Sequence, residues 1–314
     1  MSLLSKLRNR LRWKSSNWFH AFAQGSKIHY LQESLRQAQI SNDYLMSLWL
    51  QGQPAHPNPL TRFGKKYFSQ ADEDGILLEI LRRIGLNSGT CVEIGCGDGL
   101  ENNTLILLSQ GWKTVWIDAA PLAFDPMCNT DLLVHYQEFV AASNVPRLVR
   151  QGIHVLHETE IDVLSIDIDG NDGYIAEALL RDAFKPSLIV IETNEILPPP
   201  IVFRQAYDPS YVWDHTKNSG WSLQAISNLL EGFGYSCLAC NLQTGVNAFF
   251  VRQDLRGFFP DVPTNLEVLY VGRSSHPLKY RDRRTKVTAE LVEQLVRNAH
   301  PANKDLTSRN QAGD

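Results

Sequence analysis

Acidic and amide side chains stand at the ends of four short apolar runs, and their spacing divides into two groups. The first group starts at Glu93, with Gly95, Gly97 and Gly99 following at alternate positions. Glycine lets a backbone turn sharply and lets a ligand approach it closely. Asn102 or Asn103 can cap a following helix, whose first N–H groups would face that ligand. An acid before such a turn suits a ligand with positive charge, such as the ammonium and sulfonium of S-adenosylmethionine (SAM). It would face the diphosphate of a dinucleotide unfavourably, and the third glycine falls one position early for G-x-G-x-x-G. Asp118 ends the next apolar run, about 20 residues on, where a carboxylate accepts hydrogen bonds from both ribose hydroxyls. A structural turn followed by a solvated Asp is the plainer alternative.

The second group is Asp167, Asp169, Glu192 and Asn194. Each pair is two residues apart, so in extended strands each pair shares a face. Neighbouring strands lie about 4.8 Å apart, so four oxygen-bearing side chains would converge at one sheet edge. Crowded acids need a cation, a proton or a basic partner. A hard-oxygen set without Cys or His suits Mg²⁺, with Ca²⁺ and Mn²⁺ as alternatives. Such an ion could hold acceptor hydroxyls and lower the pKa of one. Direct contact of these acids with SAM and with acceptor hydroxyls, without metal, is an equal alternative. Asp169 is the first candidate for the base, and His215 on the long loop after the fifth strand is the second. A surface histidine is the bland reading of His215. The same loop carries Pro198–Pro200, Tyr207, Tyr211 and Trp213, and aromatic faces suit sugar rings. Gln70 and Glu73 precede the first strand and could touch the methionine part of SAM, or merely cap a helix. Cys237 and Cys240 read as buried thiols, and His154 and His157 as surface or packing residues.

These side chains need a scaffold of alternating strands and helices. Ser69 can cap a helix bearing Ile76, Leu77, Ile80, Leu81 and Ile84, ended by Gly85. Strands are expected over 90–94, 113–118, 132–140, 163–168 and 188–193, with helices over 102–110, 144–151 and 174–181 between them. A helix over 223–231 and strands over 235–240 and 247–252 follow, with Thr244-Gly245 turning between the last two. Alternating units with apolar strands imply a mostly parallel sheet covered on both faces. The last two strands are joined too tightly for a crossover, so that pair must be an antiparallel hairpin.

Several segments together resemble the FkbM-like class I SAM-dependent methyltransferases and their uncharacterised bacterial relatives. They are Ser69-Gln70 with Glu73-Asp74-Gly75, Val92–Gly95, Glu101–Thr104, Gly111-Trp112, Trp116–Asp118, Leu164–Asp172, Ile191–Asn194 and Asn247–Val251. The resemblance spans about residues 67–252. It implies a Rossmann-like sheet of seven strands, SAM as cofactor, and an O-methyl acceptor that is often a sugar or other polyol. A more distant likeness is to sugar O-methyltransferases that use Mg²⁺ at this edge. Glu192-Thr193-Asn194 departs from their pattern in lacking a second acid.

The chain has 314 residues and a net charge of −4, which excludes a general polyanion binder, nucleic acid included. Residues 1–32 carry six basic residues and no acid, +6, so the remainder carries −10. Leu4, Leu7, Leu11, Trp18 and Phe22 make residues 1–24 a basic amphipathic helix, suited to an anionic membrane surface or to packing on its own domain. Five cysteines are a sparse, odd set, which suits a reducing compartment. No apolar run is long enough to span a membrane, and no secretory signal is seen. The expectation is a cytoplasmic protein with peripheral contact at the inner membrane face. Its domains are an N-terminal region over 1–60, a methyltransferase domain over 61–260 and an extension over 261–314 with a polar, disordered tail from 301. Two other functions fit parts of the pattern. Asp167-Ile168-Asp169 is a D-x-D, as in metal-dependent glycosyltransferases, and a non-catalytic partner protein could share the fold.

Overall fold

A computed structural model describes residues 56–213 and 219–272, with Ser34, Gln37, Ser41 and Glu293. The helix expected over 1–24, the tail from 301, and His215 lie outside the described residues. From residue 56 on, the described residues fall in one compact unit.

Apolar runs flanked by turn residues become strands. The order along the chain is α1 (Glu73–Ile84), β1 (Thr90–Ile94), α2 (Leu105–Ser109), β2 (Lys113–Asp118), β3 (Leu133–Gln137), α3 (Val145–Val155) and β4 (Val163–Ile166). Then come α4 (Asp172–Arg181), β5 (Leu188–Glu192), α5 (Leu223–Gly232), β6 (Tyr235–Cys240), β7 (Asn247–Arg252) and α6 (Leu266–Leu269). The strands form one seven-stranded sheet in the order β3-β2-β1-β4-β5-β7-β6. The first five strands pair in parallel, β7 runs antiparallel to β5, and β6 runs antiparallel to β7. This is a Rossmann-like α/β fold with helices packed around the sheet. Every residue of β1 and β4 is buried, as expected of parallel strands covered on both faces. No described helix is long and apolar enough to cross a membrane.

Several local expectations are corrected. Ser69 does not cap α1, which begins four residues later. The backbone N–H groups of Tyr67, Phe68 and Ser69 all donate to one oxygen of Asp74, holding 67–69 as a loop. Gly85 ends the helix as expected, with φ 74°. The helix after the glycines is only Leu105–Ser109, without a side-chain cap. The third and fourth strands are shorter than their apolar runs suggest. β4 stops at Ile166 because Asp172 accepts the N–H of Ile168 at 2.8 Å and turns the chain.

Residues on both sides of 61–260 pack against the same unit. Asn58 donates its side-chain amide to Leu238 O at 2.7 Å, and Leu60 is fully buried. At the other end Phe259, Val262 and Leu269 are core residues. Arg83 joins the two ends: its guanidinium lies 5.9 Å from the Phe63 ring and 5.7 Å from the Phe259 ring, and it pairs with Asp261 at 2.7 Å.

Candidate functional site at the carboxyl edge of the sheet

β1, β2, β4 and β5 run parallel, so their carboxyl ends share one edge. Glu93, in β1, is 1 % exposed. One of its oxygens accepts the N–H of Asn103 at 2.8 Å. The other accepts the Asn102 side-chain amide at 2.9 Å, the Thr104 N–H at 2.9 Å and the Thr104 hydroxyl. The same hydroxyl accepts Trp116 Nε1–H at 2.8 Å. Burial pushes the Glu93 carboxyl up, and these donors hold it down. Four donors converge on the group, three of them on one oxygen. Glu93 thereby ties residues 102–104, ahead of α2, to the end of β1.

Asn102 and Asn103 are likewise donors to this network, not side-chain caps. Asn103 donates its amide to Ser165 Oγ at 3.1 Å, tying the loop to β4. Asn102 spends its amide nitrogen on Glu93, which fixes the orientation of its oxygen. That oxygen is buried without a hydrogen-bond partner. An orphaned acceptor beside a glycine turn fits a cationic donor such as the ammonium of SAM.

Two of the glycines are required by geometry. At Gly95, with φ 91°, a Cβ would lie 1.7 Å from Asp167 O. At Gly97, with φ 57°, a Cβ would meet nothing within 4 Å. The chain is therefore packed under Gly95 and open above Gly97. Gly99 is buried against Leu122 and Phe124. Asp118 accepts the Gly97 N–H at 2.7 Å with one oxygen and the Ala120 N–H at 2.7 Å with the other. It is half-buried, and each oxygen keeps a second lone pair for a ribose hydroxyl. Gln70 is half-buried beside the loop: Lys66 donates to Gln70 O at 2.8 Å and pairs with Glu101 at 3.0 Å. Glu73, also expected near the cofactor, is turned to the β6–β7 connection, where it accepts from Asn241 at 3.1 Å and Asn247 at 3.2 Å.

The acids of the second group converge, though not through the strand pleat. Asp169 lies beyond β4 with φ 62°, so the chain has turned before reaching it. Oxygens of Asp167, Asp169 and Glu192 nevertheless lie within 4.8 Å of one another. The N–H of Asp169 donates to Glu192 at 3.1 Å. Burial, and then repulsion from neighbouring carboxylates (Asp172 and Asp169 at Asp167; Asp167 and Asp172 at Glu192), push Asp167 and Glu192 up, and a hydrogen bond joins their side chains. A hard-oxygen set of three fits a divalent cation by donor chemistry. Asn194, two residues after Glu192, hydrogen-bonds within the long loop. Its amide donates to Ser219 O at 2.9 Å and its oxygen accepts Ile196 N–H at 3.2 Å.

Asp172 is a structural member that spacing alone did not single out. It accepts the N–H groups of Ile168 and Gly170, each at 2.8 Å, and so builds the turn that presents Asp169. Its place at the first position of α4 was the available signal. Cys237 and Cys240 are buried thiols, and His154 and His157 are exposed.

The sequence matches no protein-family model and no curated protein sequence.

Proposed function

We propose that this protein is a SAM-dependent methyltransferase acting on a hydroxyl of a sugar or other polyol. One arrangement carries the reading. The loop at Gly97, open above its backbone and bonded to Asp118, stands at the ends of β1 and β2, and an acidic turn stands one strand further along. A nucleoside with a positively charged amino-acid arm matches that sequence of groups. Asp118 takes the ribose, the Gly95–Gly99 backbone takes the middle, and Asn102 Oδ1 takes the ammonium. When bound, SAM supplies a methyl group on a cationic sulfur for in-line transfer to an oxygen.

The second group supplies acceptor chemistry. Asp169 is exposed at the tip of its turn and takes the proton of the attacking hydroxyl. Asp167 and Glu192 orient the hydroxyl or, with Asp169, hold a Mg²⁺ ion that does so. The reading places the enzyme in the cytoplasm, with residues 1–24 as its contact to an anionic membrane.

Ligand-dependent melting tests the reading. S-adenosylhomocysteine is expected to raise the melting temperature, and UDP with Mn²⁺ to leave it unchanged. The reverse pattern would establish the glycosyltransferase alternative carried by Asp167 and Asp169. Stabilisation by neither would leave a non-catalytic relative of the fold.

A further inference from the structure

After Thr193, the described residues up to 213 and from 219 to Ser222 are pinned across the edge they border. Gln205 and Gly220 exchange bonds, with Gln205 N–H donating to Gly220 O at 3.1 Å and Gly220 N–H to Gln205 Oε1 at 2.8 Å. Tyr174, in the first turn of α4, donates its hydroxyl to Gln205 O at 2.9 Å. Asn171 donates its amide to Asp208 O at 2.7 Å. Ala142, ahead of α3, donates its N–H to the Tyr207 hydroxyl at 3.1 Å. Residues 205–208 therefore form a strap over the starts of α3 and α4.

The aromatic residues of this region have different jobs. Tyr207 packs on Tyr174 with ring centroids 4.9 Å apart, and Tyr174 packs edge-on against Trp221 at 4.9 Å. Those rings hold the strap down. Tyr211 lies elsewhere. A Cβ built on Gly170 would be 2.5 Å from Tyr211 Cε1 and 2.7 Å from Cδ1, so the phenol rests directly on the backbone of the acidic turn. Gly170 directly follows Asp169, and Tyr211 is half-buried. An apolar surface thus adjoins the exposed carboxylate.

Carboxylates alone accept any hydroxyl, so shape selection needs an apolar wall beside them. We propose that Tyr211 is the specificity-determining platform of the acceptor subsite and selects a cyclic polyol. The C–H face of the ring packs on the phenol while one hydroxyl reaches Asp169. The pinned strap holds the phenol in place before the acceptor arrives, which lowers the ordering cost of binding. This inference rests on the methyltransferase reading above.

Saturation-transfer NMR on the full chain with bound S-adenosylhomocysteine tests it, with methyl hexopyranosides and linear alditols as probes. Transfer to pyranoside C–H protons is expected for the native protein and for Tyr211→Phe. At least a five-fold loss is expected for Tyr211→Ala. Gly170→Ala, whose new methyl drives the phenol off the turn, is expected to lose transfer in the native background and to change nothing further in Tyr211→Ala. Melting with S-adenosylhomocysteine should stay the same in every variant. Equal transfer in Tyr211→Ala and the native protein, equal transfer to alditols and pyranosides, or no transfer at all would overturn the role of Tyr211 while leaving cofactor binding intact. Absence of any S-adenosylhomocysteine shift in the native protein would overturn the parent reading as well.

Discussion

Replacing Asp74 by Asn should stabilise this protein at neutral pH and not at acid pH. Burial raises the Asp74 carboxyl from 3.8 to about 6, against the pull of three backbone N–H donors on one oxygen. A carboxyl raised on folding is favoured in its protonated form. Its contribution is fully present below the unfolded value and is lost as pH rises through the folded one. At about 1.36 kcal/mol per pH unit, ionisation inside the fold costs about 3 kcal/mol once the pH exceeds 6. The other oxygen of Asp74 is buried without a hydrogen-bond partner. Asn can therefore keep its carbonyl toward the three N–H groups and put its amide where that oxygen stood. An unpaired buried amide takes back about 1 kcal/mol. The net gain is about 2 kcal/mol at pH 7.5, falling to about zero near pH 4.5. Urea denaturation across that range reads the difference directly. A variant less stable than the native protein at pH 7.5, or a difference that does not change with pH, would refute the reasoning. Because residues 67–69 keep their donors' partner, the S-adenosylhomocysteine shift should survive.

On the proposed reading, Asp118→Ala removes the acceptor for two ribose hydroxyls, and it also removes the tie to Gly97. Losing about 3 kcal/mol of charge-assisted bonding weakens S-adenosylhomocysteine about a hundred-fold, measurable by titration calorimetry. Unchanged affinity would remove Asp118 from the cofactor site. Gly95→Ala forces a methyl to within 1.7 Å of Asp167 O at φ 91°, so it should destabilise the fold by at least about 3 kcal/mol in urea. A soluble variant of native stability would show that the two segments are not in contact.

The sheet was legible because its apolar runs sit between strong breakers. β1, β2, β6 and β7 begin and end where the sequence places them, each bounded by Gly, Asn or Asp. β4 overran because Ile168 continues the apolar run, while the N–H of Ile168 is taken by Asp172. The hydrogen-bond network around Glu93 was hidden for a related reason. An acid before glycines reads as a ligand contact, but residues 102–104 fold back over it, and no local pattern announces that closure. Asp74, Glu93 and Asp172 all do the same thing, accepting backbone N–H groups where the chain turns. The Asp167–Asp169–Glu192 group was found by its spacing, although a left-handed turn at Asp169, not an extended strand, brings it together. The bond of the Asn194 amide to Ser219 in the long loop was not legible from its spacing to Glu192. The ends of the domain depended on Arg83 meeting Phe259, a pairing that only the folded chain reveals.

The close approach of Gly95 to the carbonyl of Asp167 means that the two halves of the site share a wall. The peptide that bounds the glycine loop from below also leads into the acidic turn. Any ligand that shifts one face of that wall must do work on the other. On the proposed reading the coupling runs equally in both directions, because linkage makes the effect of acceptor on cofactor affinity equal to that of cofactor on acceptor. Ordered or random addition would then be a property of one peptide contact, set by how far the Asp167–Asp169 turn relaxes when either ligand is absent.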